Sequence, residues 1–365
     1  MILALLAALL AGNVLPGAAG DATAPVYWIV AITVAAVLMV SLLAHELAHA
    51  LLARRFGVRV KSVTLWALGG VTTFDEEPVT PRANALVAAA GPVVSLVLGG
   101  LFVVAARCVD PTWLYGLAIV ALNWLAAMNV LLGLFNLLPA APLDGGRVLR
   151  ALLWARTGDR DKATAMAAAV GQALGFGLIG WGFVTMMSGY FSGVWLALVG
   201  WFILGSASAE RQQAQVFGKL RGVTVRDVMT PHPVIAPGWW TVDAFAAHLA
   251  DDGVRHRVFP VVDFEGRPVG VVGLPELAGA RSAARIQDAV RPLDRRTRAD
   301  AAEPLTDVLR RTTLRPGGAV AVVEDGKLAG VLTLADISRA VDLSRLGVKP
   351  TAGSAGSAES GPSPP

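Results

Sequence analysis

From Val26 to Phe56 the chain is apolar for long enough to cross a bilayer as one helix, yet this run contains His45, Glu46 and His49. About 20 residues at 1.5 Å each span the hydrocarbon layer, so length alone makes the run a membrane helix. Ionisable groups are costly in such a span, and keeping them among Ala, Val and Leu marks a functional site by default. Positions i and i+4 share one helix face, so His45 and His49 present two imidazole nitrogens to one point. Glu46 lies on the next position round, where it can act on a water held at a metal rather than on the metal. This is the H-E-x-x-H spacing of zinc hydrolases. The short pattern also arises by chance, and its setting in a bilayer span is what gives it weight.

The rest of the first half follows the same composition. Further apolar runs lie at Arg82–Ala106, Trp113–Leu138, Ala163–Met187 and Val194–Ala209, the last of them short for a crossing. Met1 to Leu10 reads as a first, short span, because it lacks the basic start of a signal peptide. The length rule gives about six spans. Loop 54–82 carries Arg54, Arg55, Arg59, Lys61 and Arg82, and loop 139–162 carries Arg147, Arg150, Arg156, Arg160 and Lys162. The alternate loops hold Arg107 alone. The positive-inside rule therefore puts both basic loops, the N-terminus, the C-terminal half and the histidine end of the second span in the cytoplasm.

Only 16% of the 365 residues are charged, against about 25% in soluble domains, but from Glu210 onward charges appear at a soluble rate. The reading is a membrane domain over 1–209 followed by a soluble half. The net charge of +4 is small, and without a Lys/Arg stripe interleaved with aromatics no nucleic-acid partner is expected. One cysteine, Cys108, excludes an internal disulfide and a cysteine zinc site, and is expected to pack at a helix end.

Between the second and third spans, Val58 to Leu65 is rich in β-branched residues, and Gly69-Gly70 precedes Val71-Thr72-Thr73-Phe74. This predicts a β-hairpin with a glycine turn. It is either a surface loop or an exposed strand edge that holds an extended peptide by main-chain hydrogen bonds.

A second constellation closes the fourth span: Asn136, Pro139, Pro142, then Leu143-Asp144-Gly145-Gly146. The prolines end the helix and leave a carboxylate in a Gly-flanked turn. A catalytic zinc site uses three protein ligands and an open position. Asp144, at the cytoplasmic depth of the histidines, is the candidate third ligand; alone it would read as a turn cap. Asn136 is a candidate donor to the oxyanion of a tetrahedral intermediate, or else a helix–helix hydrogen bond.

His45-Glu46-Leu47-Ala48-His49 with Asn136…Pro139…Leu143-Asp144-Gly145 on a later span resembles the site-2 protease family of intramembrane zinc metalloproteases. Gly91-Pro92 and the Gly69-Gly70 hairpin match as well. The resemblance implies one zinc ion held by His45, His49 and Asp144, with Glu46 as general base. It implies cutting of single-span, membrane-anchored regulatory proteins in or near their spans, from a cytoplasm-facing site in the cell membrane. The competing reading, a divalent-metal transporter using the same residues, needs a polar path across the bilayer, and the other spans nearly lack ionisable centres.

Residues 222–345 contain a repeat at an offset of about sixty residues, right for paired β-α-β modules. Val225–Met229 corresponds to Ile286–Val290, and Phe259–Leu277 to Ala319–Ile337. Each copy, 222–283 and 284–345, resembles a CBS domain, and the pair implies a soluble α/β unit, ATP or another adenine nucleotide as ligand, and homodimerisation. The nucleotide-contacting pattern of that family falls on Gly330, Thr333 and Asp336. The first copy departs from it at Gly273 and Glu276. The Gly-, Ser-, Ala- and Pro-rich segment 346–365 is expected to be a disordered tail. The fold class is thus a polytopic α-helical membrane domain with a β-hairpin insertion, joined to a CBS pair.

Overall fold

The computed structural model describes residues 2–18, 22–66, 69–74, 80–110, 116–251, 257–312, 314, 318–346, 348 and 350. Of the tail expected over 346–365, only 346, 348 and 350 are among them. The chain divides into two compact units, Met1–Gln215 and Val216–Pro365.

In the first unit, α1 (Ile2–Leu9) passes through a π-helical turn, Leu10–Val14, into α2 (Leu15–Ala18). Leu10 and Leu15 are buried in one cluster with Val34 and Ala35 of α3 (Ala24–Arg55). Arg54 and Arg55 fall in the last turn of α3, where cations complement the helix dipole. Then come β1 (Val60–Trp66) and β2 (Gly69–Phe74), α4 (Pro81–Cys108), α5 (Leu117–Asn136), α6 (Asp144–Thr157), α7 (Arg160–Met187) and α8 (Ser192–Lys219). Thr80 caps α4, its hydroxyl accepting from the Ala83 amide at 3.2 Å. Among the described residues α3, α4, α5, α7 and α8 are long and apolar enough to cross a membrane, and Leu3–Gly17 is a shorter apolar helix beside them. Their outer faces carry exposed side chains such as Leu51, Phe176, Trp181 and Trp201, the composition of helices solvated by lipid. Small residues let α7 and α8 touch backbone to backbone: a Cβ on Gly182 would fall 2.6 Å from the Gly193 carbonyl oxygen.

Several details depart from the sequence reading. β1 and β2 pair antiparallel with Trp66 opposite Gly69, so Gly69 and Gly70 begin a strand rather than form the turn. Residues 67–68 lie outside the described residues. Asp144 heads the helix α6 and does not sit in a turn. Cys108 is exposed, not packed. The last span, read as ending near Ala209, continues helically to Lys219. Its polar end finds partners: Arg150 Nη1 lies 3.4 Å from Glu210 Oε1, and Arg211 Nη1 donates to Gln172 Oε1 at 2.7 Å.

The second unit contains β3 (Thr230–Pro231), β4 (Ala236–Pro237), α9 (Val242–Asp251), β5 (Val258–Val262), β6 (Pro268–Gly273), α10 (Leu274–Gly279), β7 (Arg291–Pro292), β8 (Arg298–Asp300), α11 (Leu305–Arg311), β9 (Ala319–Glu324), β10 (Lys327–Thr333) and α12 (Leu334–Arg345). One sheet has the order β4-β5-β6-β7 and the other β3-β10-β9-β8. The strand heading each repeat therefore completes the sheet of the other: β3 pairs with β10, and β7 with β6. The cores follow the same exchange. Val225 packs with Val320, Val322 and Leu332, while Ile286 packs with Phe245, Phe259 and Val272.

An ion pair on this unit gives a pH expectation. The Arg311 guanidinium bonds Glu303 and the carbonyl oxygens of Arg295 and Arg298. The hydrogen bond from Arg311 holds the Glu303 carboxyl below its ordinary range. A carboxylate with a depressed folded pKa stabilises above its unfolded value, about 4.3, and loses that contribution as pH falls through the folded one. Glu303→Gln should therefore show a smaller drop in melting temperature between pH 5 and pH 3 than wild type, read by calorimetry on the full chain. The pair is partly exposed, so the effect is small.

Candidate metal centre

α3 presents His45, Glu46 and His49 on its inward face, where they are 2%, 6% and 4% exposed. The other buried residues of that helix are Ala31, Val34, Ala35, Ser41, Ala50 and Ala53, small enough for α4 to pack closely. α6 brings Asp144 to the same point by its first residue. His45 Nε2 lies 3.3 Å and His49 Nε2 3.1 Å from Asp144 Oδ2, and the two Nε2 atoms are 3.3 Å apart. A tetrahedral zinc ion with bonds of about 2.0–2.1 Å separates its donors by about 3.3–3.4 Å. The donor set and its spacing fit a zinc ion. Among the described residues, this trio is the group of His, Cys, Asp and Glu able to hold a metal.

The outer nitrogens of both rings are bonded. His49 Nδ1 is 2.7 Å from the Val87 carbonyl oxygen, and His45 Nδ1 is 2.9 Å from Ser95 Oγ. Both partners are on α4, as is Gly91 between them. A Cβ on Gly91 would sit 2.6 Å from His45 Nε2 and nearer still to His49 Nε2. The glycine is thus the clearance into which the two donor atoms point. Gly145 and Gly146 serve packing in the same way: a Cβ on the first would strike the Leu137 and Leu138 carbonyls, and on the second would lie 2.6 Å from the Ala140 carbonyl carbon. Arg147, one turn along α6, is partly buried and interacts electrostatically with Asp144, Glu210 and Glu46, and unfavourably with Arg150.

Asn136, the last residue of α5, is half-buried and donates its side-chain amide to the Leu132 carbonyl of its own helix at 3.1 Å. It is not one of the converging donors. Asn129, one face-repeat earlier, is buried and bonds Leu125 O at 2.9 Å. The sequence reading did not single out Ser95 or the Val87 carbonyl. Ser95 carried a signal, a hydroxyl in an apolar span; a main-chain acceptor carries none.

In the second unit, Thr333 caps α12, and its amide and hydroxyl both bond Asp336 Oδ2, at 2.8 and 2.7 Å. Asp336 Oδ1 accepts from the Thr230 hydroxyl at 2.8 Å. Gly330 lies where a Cβ would fall 2.7 Å from the Thr230 carbonyl oxygen. The structure thus joins Thr333 and Asp336 in one capping arrangement and packs Gly330 on β3. In the first repeat Glu276 takes the carboxylate's part, accepting from the Gly273 amide at 3.1 Å.

A bundle of membrane-length helices enclosing two histidines and an aspartate at metal-ligand spacing defines a class, membrane proteins with a candidate metal centre buried among their helices. Comparison with known proteins narrows it. The model of peptidase family M50 matches residues 33–118 and 108–178, and that of the CBS domain matches 225–282 and 298–343. The zinc metalloprotease Rip3 of Mycobacterium tuberculosis is 42% identical over 340 residues, which cover 92% of this chain and 86% of that protein. Zinc metalloprotease MJ0392 of Methanocaldococcus jannaschii is 30% identical over 311 residues, 85% of each chain. The solved site-2 protease from Methanocaldococcus jannaschii is similar to 57% of this chain and 88% of its own, with 29% identity and a TM-score of 0.40. The chain belongs to peptidase family M50, the site-2-type zinc metalloproteases, and carries two CBS domains. It is a multi-pass membrane protein.

Proposed function

We propose that His45, His49 and Asp144 hold one zinc ion, and that Glu46 is the general base of a peptide hydrolysis carried out within or beside membrane spans of other proteins. The observation that carries this reading is the convergence of the three donor atoms at 3.1–3.3 Å on a buried face. Zinc, when bound, supplies a Lewis acid that brings the pKa of a water toward neutrality and polarises the scissile carbonyl. Glu46, buried one position from His45, takes the proton of the attacking water and delivers it to the departing amide nitrogen. Asn136 donates to the carbonyl oxygen as negative charge develops there, after releasing its bond to Leu132. The low-polarity walls of α3 and α4 exclude bulk water, which strengthens each of these interactions.

A substrate helix hides its carbonyls in its own hydrogen bonds, so the substrates are single-span proteins whose helices unwind readily, with Gly, Pro or Asn near the cut. The two-stranded hairpin offers an outer edge to the unwound segment. The basic loops orient the site and the CBS pair toward the cytoplasm. The pair takes an adenine nucleotide at Gly330, Thr333 and Asp336 and associates with a second copy.

The test compares membrane proteomes of cells carrying wild type and Glu46→Gln. Accumulation of a small set of uncut single-span proteins in the variant is the expected result, and it names the substrates. If no fragment differs but cellular zinc or manganese does, the residues form a transport path and the hydrolytic reading is wrong.

A further inference from the structure

We propose that Ser95 is a positioning residue for the metal centre, its hydroxyl oxygen accepting the Nδ1–H of His45 and so turning the bare Nε2 lone pair toward Asp144 and His49. The proposal rests on the reading of His45, His49 and Asp144 as zinc ligands.

A neutral imidazole has one N–H and one lone pair, and a metal takes the lone pair. For His49 the assignment is forced: the Val87 carbonyl oxygen can only accept, so Nδ1 carries the proton and Nε2 is bare. For His45 it is not forced by its partner, since a hydroxyl both donates and accepts. The ring's other side decides. His45 Nε2 faces His49 Nε2 and Asp144 Oδ2, both at 3.3 Å. A metal shared by those atoms requires the lone pair on Nε2, which leaves the proton on Nδ1 and makes Ser95 the acceptor at 2.9 Å.

Ser95 is 0% exposed and His45 2%, so bulk water does not reach the bond. With Ser95 reduced to a methyl group, the buried Nδ1–H loses its partner. The ring is then free to rotate, or to shift its proton to Nε2, and either change removes the ligand. α4 therefore serves the centre at three successive turns: an acceptor at Val87, clearance at Gly91 and the second acceptor at Ser95. Outer partners of metal-bound histidines are worth about 10- to 100-fold in metal affinity.

The experiment uses the full-length protein in detergent or nanodiscs. Zinc retention is measured against a graded chelator, the visible spectrum of the cobalt(II)-loaded protein is recorded, and the metal-free melting temperature is taken alongside. Ser95→Ala should hold zinc about 10- to 100-fold more weakly and change the cobalt ligand-field bands, with the metal-free melting temperature close to wild type. Ser95→Thr, which keeps a hydroxyl, should restore zinc retention. Wild-type retention in Ser95→Ala overturns the proposal, as does a Ser95→Thr as weak as Ser95→Ala. Should Ser95→Ala fail to fold, Ser95→Cys carries the comparison: weakened retention supports the role and wild-type retention overturns it. His45→Ala separates the two readings, because zinc retained there would sink the assignment of the ligands themselves, whatever Ser95 does.

Discussion

Gly91→Ala is expected to strip the protein of zinc and of hydrolytic activity together. Helix propensity predicts the opposite sign, since alanine is favoured over glycine by about 1 kcal/mol in a helix interior. What decides is space: the added methyl would stand 2.6 Å from His45 Nε2 and closer to His49 Nε2, at the point where the donors meet. Overpacking of this kind costs about 1–3 kcal/mol, which is about 5- to 150-fold in zinc affinity if it falls on the loaded state. Gly100→Ala, on the same helix with nothing within 4 Å of its Cβ, is the control and should match wild type. Zinc content after dialysis against a chelator, measured by mass spectrometry, checks both variants. Full zinc in Gly91→Ala would mean that the donors do not converge under that glycine in the working enzyme.

Asp144→Asn and Glu46→Gln should both be inactive for different reasons, and zinc content should tell them apart. Asp144→Asn replaces an anionic donor by a weak neutral one. It should lose zinc by more than the about 100-fold that bounds an outer partner. On the proposed mechanism, Glu46→Gln leaves the donor trio intact and removes only the proton carrier. It should keep zinc near the wild-type level while peptide hydrolysis falls by about 10²- to 10⁴-fold. Equal zinc in Asp144→Asn and wild type would remove that residue from the ligand set, and zinc loss in Glu46→Gln would make Glu46 a ligand rather than a base.

Most of the architecture is legible in the chain because a bilayer simplifies the code. Long apolar runs have one stable outcome there, a helix, and the i, i+4 spacing of His45 and His49 fixes their common face. The repeat after residue 222 is legible too, since its strands pair by pattern. What escapes the sequence depends on close approach. Gly145 and Gly146 read as a turn, because glycine pairs usually mark one. In the fold they let α6 begin directly against the Leu137–Ala140 backbone. The polar end of α8 reads as the start of a soluble segment, and it stays helical because Glu210 and Arg211 reach Arg150 and Gln172 on other helices. The exchange of β3 and β7 between the two CBS sheets is a choice between equivalent partners, which local pattern does not encode.

The two histidines differ in how their orientation is inherited. His49 is held by the carbonyl of Val87, an atom every amino acid supplies, so no single codon change at that position can delete the acceptor. His45 is held by a side chain, and one nucleotide change in a serine codon can remove it. Half of this centre is thus written in the main chain and is robust to mutation at the contact, while the other half stays open to natural variation in how firmly its imidazole is held.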